Sequence, residues 1–456
     1  MKVLLISTYE LGHQPFGLAS PAAFLREAGI EVECLDLAVE PLEERAVDEA
    51  DLVAFYLPMH TATRIAARVI EKVRRLNPTA ALCAYGLYAP MSEGLLRRLG
   101  VGAILGGEFE EDLLGVAQGL AEPELHPQSA APASPIVSFR NLSFRVPDRT
   151  GLPPLSRYAR LRLPDGTERT TGYTEASRGC KHFCRHCPIV PVYEGRVRFV
   201  RAEVVVEDVR RQVAAGARHV TFGDPDFFNA PRHGLEILRA LHREYPKLTC
   251  DVTIKVEHLL KHAGYLHDLR ESGCVLVTSA AESVDDRVLA LLGKGHTRAD
   301  FVRAASLCRE AGLALSPTFV AFTPWITLAG YEDLLLTLSE LELIEHVAPI
   351  QLAIRLLIPA GSRLLDLPEI RELIGPYDEE ALCYPWVHPD PRVDSLQRDL
   401  EALLQDASSE GDRRGLFEEV WRRLQRAMNR AVLPLPAGPK GPDRAAIPYL
   451  TEPWYC

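Results

Sequence analysis

Three cysteines stand close together in the stretch SRGCKHFCRHCPIV, where Cys180, Cys184 and Cys187 follow a C-x3-C-x2-C spacing. Thiolates at such short spacing are ligands for zinc or for an iron–sulfur cluster. A structural zinc site is closed by four ligands, so His182 or His186 would have to fold back within a short loop. A [4Fe–4S] cluster bound through three of its irons leaves the fourth iron open for a substrate or cofactor. The lack of a fourth cysteine nearby favours the cluster, and zinc stays the alternative.

Composition limits the classes of protein and partner. The 456 residues are 47% apolar and 25% charged, with a formal net charge of −11. These values predict two or three globular domains and argue against general binding to nucleic acid or to an anionic membrane. The N-terminal run MKVLLIST reads as a strand and not as a signal peptide, and no apolar run reaches the roughly 18 residues that span a bilayer. We therefore expect a cytoplasmic protein whose thiols stay reduced, with neither nucleic acid nor membrane as partner.

The first part of the chain alternates strand and helix patterns. Apolar runs such as KVLLIST and DLVAFYLPM are separated by amphipathic helices such as TATRIAARVIEKVRRLN. This alternation predicts an α/β domain over residues 1–125 with a doubly wound, Rossmann-like parallel sheet. Ligands of such sheets lie beyond the carboxyl ends of the strands. A linker rich in Pro, Ala and Ser begins the next segment, 126–172.

The strand and helix alternation resumes over residues 173–360. About six βα units are readable, ending with PIQLAIRLLI as the last strand, and they predict a partial or full barrel. Chemistry is expected at the carboxyl ends of its strands. Residues 361–456 are predicted to form a mostly helical extension that ends in the tail YLTEPWYC.

The cysteine spacing, with His186 in the aromatic place before the last cysteine, resembles the radical S-adenosylmethionine (SAM) superfamily. The resemblance implies a [4Fe–4S] cluster on the three cysteines, with SAM on the open iron and an external one-electron donor of the flavodoxin or ferredoxin type. It also implies that SAM is surrounded by polar groups at the strand ends of the barrel. The candidates are His186, Gly223, Asp224, Pro225, Asp226, Lys255, Glu257, Glu282, Ser283 and Arg355. The alternatives are a helix N-cap turn for the Gly223–Asp226 stretch, surface salt bridges, and a structural ion pair for Arg355.

The N-terminal domain resembles the cobalamin-binding domain of B12-type radical SAM enzymes, on the stretches GHQPFGLASPAAFLREAGIEV and GGEFEEDLL. The D-x-H-x-x-G motif that supplies the histidine below cobalt in that family is absent. His13 and His60 stand in the corresponding loops, where a histidine is more often a plain polar residue. The resemblance implies either that cobalamin binds without a protein axial ligand, which we favour, or that the domain only covers the barrel mouth.

Phrases along nearly the whole chain, among them FGDPDFFN, ESVDDRVLALLGKGHT and the terminal EPWYC, resemble the CUAEP/CCAEP-tail radical SAM proteins. The tail departs from that pattern, because the residues before Glu452 are not a pair of cysteines and only Cys456 is left. A role for Cys456 in binding a soft substrate is the hypothesis, and a frayed chain end is its alternative.

Together these features predict a radical SAM enzyme that transfers a methyl or other carbon group to a small molecule. A second prediction is transfer of the 3-amino-3-carboxypropyl group of SAM to a soft atom such as arsenic(III), with Cys456 assisting. The non-enzymatic alternative is a zinc-stabilised binding module.

Overall fold

The computed structural model describes residues 1–121, 134–405, 412–436 and 447–451. Its N-terminal sheet has six parallel strands in the order β2-β1-β3-β4-β5-β6. They are β1 (Lys2–Ser7), β2 (Glu31–Asp36), β3 (Leu52–Tyr56), β4 (Ala81–Tyr85), β5 (Ala103–Gly107) and β6 (Ile136–Ser138). The predicted parallel, doubly wound sheet is confirmed. Its last strand, β6, lies inside the segment predicted as linker, where Ile136 is opposite Leu105 of β5.

Helices cover both faces of this sheet. They are α1 (Phe16–Glu27), α2 (Glu44–Asp48), α3 (His60–Leu76), α4 (Glu93–Arg98) and α5 (Glu110–Ala121). Leu25 of α1 and Leu113 of α5 share one buried apolar cluster, and Ile70 of α3 and Leu96 of α4 share the other. The strands are apolar on both sides because each side faces helices.

A second sheet follows, with seven strands in the order β14-β13-β12-β11-β8-β7-β15. Two short strands, β9 and β10, form a separate antiparallel pair. The ranges are β7 (Arg160–Arg162), β8 (Glu168–Thr174), β9 (Ser177–Gly179), β10 (Val197–Phe199), β11 (His219–Phe222), β12 (Thr249–Thr253), β13 (Cys274–Glu282), β14 (Ala314–Phe319) and β15 (Tyr449–Leu450). Strands β8 and β11 to β14 are parallel, and the sheet is a half barrel.

The prediction of a sixth barrel strand over PIQLAIRLLI was wrong. Pro349–Leu352 forms a turn of 3-10 helix instead. Arg355 makes an isolated bridge with Phe322, which follows β14. Proline at the start of the run has no N–H for a strand ladder and its fixed φ suits a helical turn. The barrel is therefore partial, as one of the two predicted forms allowed.

Helices pack around the half barrel and continue into the C-terminal part. They are α6 (Ile189–Tyr193), α7 (Ala202–Ala214), α8 (Pro231–Glu244), α9 (Val256–Lys261), α10 (Leu266–Glu271), α11 (Asp286–Leu292), α12 (Arg298–Glu310), α13 (Leu328–Glu340), α14 (Pro368–Arg371), α15 (Pro391–Leu404) and α16 (Arg413–Ala427). Leu400 of α15 and Leu424 of α16 are fully buried in the same apolar cluster as Leu335 of α13. The predicted helical extension thus shares the core of the barrel.

Strand β15 extends the barrel sheet beyond β7. Tyr449 is opposite Arg162, and the backbone N–H of Thr451 donates to the carbonyl of Arg160 at 2.9 Å. Tyr449 also lines a cavity of about 250 Å³ inside the half barrel, together with Thr221 and Asp251. None of the helices in the described ranges is long and apolar enough to cross a membrane.

Candidate functional site

The three cysteines lie in the loop between β9 and α6, shortly after β8, the first of the parallel strands of the half barrel. Cys184 is buried, and Cys180 and Cys187 are half-buried. Burial raises the pKa of the Cys187 thiol to about 12, and the neighbouring Cys184 and Cys180 add to that rise. The three thiols therefore lie near enough to interact electrostatically. Such a set of soft donors fits an iron–sulfur cluster bound through three irons, and binding it would release the thiol protons.

A buried ion pair lies against the thiols. Lys294 Nζ is 3.4 Å from Glu282 Oε1, and His186 Nε2 is 3.0 Å from the same oxygen. Burial alone would raise the pKa of Glu282, but the charges of Lys294 and His186 outweigh it and lower that pKa to about 2. Lys294 also interacts electrostatically with Cys184 and Cys187. The pair places one positive charge beside the thiols and fixes the ring next to the last cysteine.

Gly223 and Asp224 fix the start of the cysteine loop. Asp224 accepts hydrogen bonds from the backbone N–H of Ala176 at 2.9 Å and from the Ser177 hydroxyl at 2.5 Å. Burial raises the pKa of Asp224 to about 7. A Cβ at position 223 would overlap the phenol of Tyr173, so only glycine fits there. Asp224 thus holds the loop directly, while Pro225 lines the cavity between the two sheets.

Asp226 leads into a chain of polar side chains across the ends of β11 and β12. Its Oδ2 is 2.7 Å from His258 Nδ1 and 3.5 Å from His182 Nε2. Lys255 Nζ lies 3.0 Å from His182 Nδ1 and 2.9 Å from Glu257 Oε2. Asp226 also caps the short 3-10 helix after it, as the N-cap alternative expected. Sequence reasoning missed His258 as a neighbour of Asp226, although it directly follows Glu257.

Some of these side chains also form the candidate zinc site of the described ranges. Ligand atoms of Cys180, His182 and Asp226 lie within 4.8 Å of one another, the one such group in the described ranges. It has three ligands and uses only one of the three thiols. A structural zinc site needs four ligands, so this arrangement favours the cluster over the zinc alternative.

Three other residues that the sequence predicted for the site are Ser283, Arg355 and Cys456. Ser283 accepts a hydrogen bond from the backbone N–H of Asp285 at 3.1 Å. Arg355 donates to Asp394 Oδ1 at 2.6 Å, and its guanidinium lies over the Trp386 ring, 3.3 Å from the centroid. These contacts are the structural ion pair that the sequence left open, so we leave Arg355 out of the proposed SAM site. Cys456 lies outside the described residues.

A buried ionic network joins the two sheets, and sequence reasoning missed it. Arg178, two residues before Cys180, lies 2.7 Å from Glu110, 2.7 Å from Glu175 and 3.6 Å from Glu108. Burial raises the pKa of Glu108 to about 7, although Arg178 opposes that rise. The acidic run GGEFEED was the available signal, but the sequence could not show which cation it meets.

The carboxyl ends of the N-terminal strands are filled with aromatic rings. Tyr85 lies 5.5 Å from Tyr56 and 4.9 Å from Phe109, measured between ring centroids. The Tyr85 hydroxyl donates to the carbonyl of Gly17 at 2.9 Å, and the Tyr56 ring occupies the space where a side chain at position 17 would be. The rings thus close the crevice between β3, β4 and α1.

The two loop histidines of the N-terminal domain differ in position, and His13 lines the cavity at this edge. The His13 ring is buried and lies 5.1 Å from the Tyr173 ring. His60 Nε2 is 2.7 Å from the carbonyl of Ala381, and burial lowers the pKa of this histidine.

Comparison with known families gives two matches. Residues 174–325 match the radical SAM superfamily, and residues 2–117 match the B12 binding domain. The first range begins at the end of β8 and includes the cysteine loop and the strand ends described above. The second covers β1 to β5 with their helices, which makes cobalamin a candidate cofactor.

Among curated proteins, the chain resembles tRNA-2-methylthio-N(6)-dimethylallyladenosine synthase of Geobacter sulfurreducens, with 25% identity over 196 residues. It also resembles the ribosomal protein uS12 methylthiotransferase of Desulforudis audaxviator, with 26% identity over 209 residues. The matches cover 39% and 41% of this chain, and 41% and 44% of those relatives. The chain thus spans about two fifths of the length of these relatives. Because they act on tRNA or a ribosomal protein, the exclusion of nucleic acid as a partner stays a prediction.

Two solved structures share the fold. The radical SAM methyltransferase TsrM from Kitasatospora setae, with tryptophan and a SAM analogue bound, is 19% identical, with a TM-score of 0.59 over 75% of this chain and 71% of that one. The cobalamin-dependent SAM radical enzyme OxsB, with aqua-cobalamin and SAM bound, is 14% identical, with a TM-score of 0.68 over 87% of this chain and 66% of that one.

The space between the described side chains shows whether cobalamin fits between the two sheets. The rings of Tyr56 and Phe109 line a cavity of about 320 Å³ between the two sheets. A corrin with its amide side chains and nucleotide is several times larger than this space. The side chains in this arrangement do not fit cobalamin, and we derive no step through it.

Proposed function

We propose that this chain, a member of the radical SAM superfamily with an N-terminal B12-binding domain, is an enzyme that transfers a methyl or other carbon group to a small molecule. Cys180, Cys184 and Cys187 would hold the [4Fe–4S] cluster. When bound, the cluster and SAM supply one-electron cleavage of a carbon–sulfur bond of SAM. The observation that supports this proposal is the electrostatic interaction of Cys187 with Cys184 and Cys180, and of the buried Lys294 with Cys184 and Cys187.

The polar residues around the thiols have separate roles in this proposal. Lys294 offsets negative charge on the thiolates, and Asp224 fixes the start of their loop. Lys255 and Glu257 present an ammonium and a carboxylate at the end of β12, as polar groups that would orient SAM. Glu282 is already bonded to His186 and Lys294, so its role is to position the ring before Cys187.

The wider organisation belongs to the same proposal. We place a Rossmann-like domain at 1–125, a linker at 126–172, the radical SAM barrel at 173–360 and a helical cap at 361–456, with β6 added to the first domain. A reduced cytoplasmic setting, a small-molecule substrate and a one-electron donor of the flavodoxin or ferredoxin type complete it.

The test is anaerobic reconstitution followed by a SAM-cleavage assay with dithionite. We expect about four irons and four sulfides per chain and release of 5′-deoxyadenosine, both lost in Cys184→Ala. Cys383→Ala, at a half-buried cysteine elsewhere, is the matched control and should keep both. SAM cleavage by Cys184→Ala would contradict the cluster assignment, and one zinc per chain without iron or sulfide would support the binding module instead.

One observation favours a second candidate, transfer of the 3-amino-3-carboxypropyl group to a soft atom such as arsenic(III). This transfer needs no cobalamin, and the rings of Tyr56, Tyr85 and Phe109 fill the N-terminal crevice. Its product would be methylthioadenosine in place of 5′-deoxyadenosine. If Cys456 assists, Cys456→Ser should slow formation of that product in the presence of arsenite and leave cluster content unchanged.

A further inference from the structure

The cavity of about 320 Å³ lies between the N-terminal sheet and the cysteine loop. Gly179, directly before Cys180, and Ile189, two residues after Cys187, line one side of it, and Gly223 lines the adjoining strand end. On the opposite side are Glu10, from the loop after β1, and Tyr56. The cavity thus borders the proposed cluster site, and its volume is near the lower end of the range for small-molecule pockets, about 300 Å³.

Glu10 contributes a buried carboxyl group to this wall. Its side chain is buried, with 7% of the residue exposed. Its Oε2 has no hydrogen-bond partner among the described residues. Carboxylates of this degree of burial are normally paired or hydrogen-bonded, because an unpaired one is costly. An unpartnered carboxylate oxygen in the wall of a cavity therefore points to a ligand that donates to it.

The nearby guanidinium groups already have carboxylate partners, although Nε and Nη1 of Arg149 have no hydrogen-bond partner among the described residues. Arg149 lies 3.0 Å from Asp208 and donates to the carbonyl of Tyr173 at 2.7 Å. Arg178 is shared among Glu175, Glu110 and Glu108. The wall therefore carries more carboxylates than cations, which disfavours an anionic ligand and favours a cationic one.

The rest of the wall is apolar and aromatic. Phe16, Tyr56 and Phe109 present rings, and Met59 and Leu87 present half-buried aliphatic surface. Aromatic faces attract cations, and the rings also accommodate a flat apolar body. The ligand that matches this wall has a hydrophobic body and one positive charge.

We propose that this cavity is the substrate site and that it takes a small organic cation, a primary amine or guanidine with an apolar or aromatic body, whose charged group pairs with Glu10. The inference rests on the proposed function, because it supplies the substrate class for the same centre. It separates the two candidate reactions, since neutral arsenous acid has no positive charge to pair with Glu10 and no apolar body to fill the aromatic wall.

Calorimetric titration of the anaerobic full-length holoenzyme tests this with two probes of similar body, 2-phenylethylamine and 3-phenylpropionate. We expect the amine to bind and the carboxylate not to bind. Glu10→Gln should weaken amine binding by about tenfold or more, the cost of losing a charged hydrogen-bond partner. Glu111→Gln, at an exposed carboxylate on α5, is the matched control and should bind the amine like the wild type.

A second variant keeps the carboxyl group of Glu10 and fills part of the cavity with a larger side chain. Met59→Trp, at a half-buried wall position, should also weaken amine binding, and a circular dichroism melt will show whether either variant is unfolded. Equal binding of amine and carboxylate, no amine binding by the wild type, or unchanged binding by folded Glu10→Gln would each overturn the proposal. SAM cleavage is assayed in parallel: its presence without amine binding refutes only the substrate class, and its absence refutes the proposed function.

Discussion

At the carboxyl ends of the N-terminal strands, the rings of Tyr56, Tyr85 and Phe109 pack together, whereas the ends of the barrel strands carry buried charged groups such as Asp224 and Glu282. Both edges are places where α/β folds bind ligands. The barrel edge carries the Lys294–Glu282 ion pair and the thiols of the cysteine loop. The comparison teaches that topology fixes where a ligand could sit, while the side chains decide which ligand is accepted.

The largest expected effect concerns the contact between the two edges. Arg178→Met leaves Glu108, Glu110 and Glu175 without their shared cation, so we expect a loss of about 4 kcal/mol in the free energy of unfolding. Urea denaturation measures it. Arg196→Met, at an exposed arginine whose one carboxylate partner is also exposed, should change the free energy by less than about 1 kcal/mol. Similar values for the two variants would show that the network does not join the sheets.

A somewhat smaller effect is expected within the barrel edge. Lys294→Met leaves Glu282 buried with only His186 as partner, which should cost about 3 kcal/mol and lower the iron content after reconstitution. Lys294→Met combined with Glu282→Gln should recover most of the stability, because no unpaired charge is left. If the single variant reconstitutes fully and unfolds like the wild type, Lys294 does not support the thiols.

The pH dependence of stability should sharpen the comparison. Burial raises the pKa of Glu108 from 4.5 to about 7, so the folded state binds the proton more tightly than the unfolded state. Between about pH 4.5 and 7 the folded state holds more protons, and the free energy of unfolding falls as pH rises, by up to about 3 kcal/mol from this group. Urea denaturation at several pH values should show that Glu108→Gln flattens this slope and that Glu111→Gln does not. An unchanged slope in Glu108→Gln would contradict the assignment.

The smallest expected effect is none at all. Incubation of the anaerobic protein with hydroxocobalamin, followed by desalting and cobalt analysis, should leave far less than one cobalt per chain, because Tyr56, Tyr85 and Phe109 occupy the crevice. Tyr56→Ala, which opens space beside Gly17, tests whether the ring is the obstacle. One cobalt per wild-type chain would show that the rings move aside and that the two edges are more alike than they look.

Local patterns in the sequence predicted much of this structure. The cysteine loop was predictable because its three cysteines lie within eight residues. The strand ends at Gly223 and Glu282 were predictable because apolar runs stop there at polar residues. Contacts between distant segments were not predictable in this way. The partner of the GGEFEED carboxylates is Arg178, some 70 residues later, and periodicity cannot pair such groups.

The misread strand PIQLAIRLLI shows a different limit. Its apolar run satisfied the strand pattern, but the proline at its start suits a helical turn. Arg355, further along, lies over Trp386 and makes one isolated bridge. The aromatic filling of the N-terminal crevice was also invisible, because Tyr56, Tyr85 and Phe109 come from three separate strand ends and nothing in the order of residues brings their rings together.

Strand β15 has a consequence for biosynthesis. Thr451 and Arg160, which bond to each other, are 291 residues apart in the chain. During translation the free edge of β7 must wait for that partner while the rest of the half barrel is already outside the ribosome. Until then it presents unpaired backbone groups that other strands could capture. A nascent chain stalled before residue 447 should therefore be more prone to aggregate than one released after it.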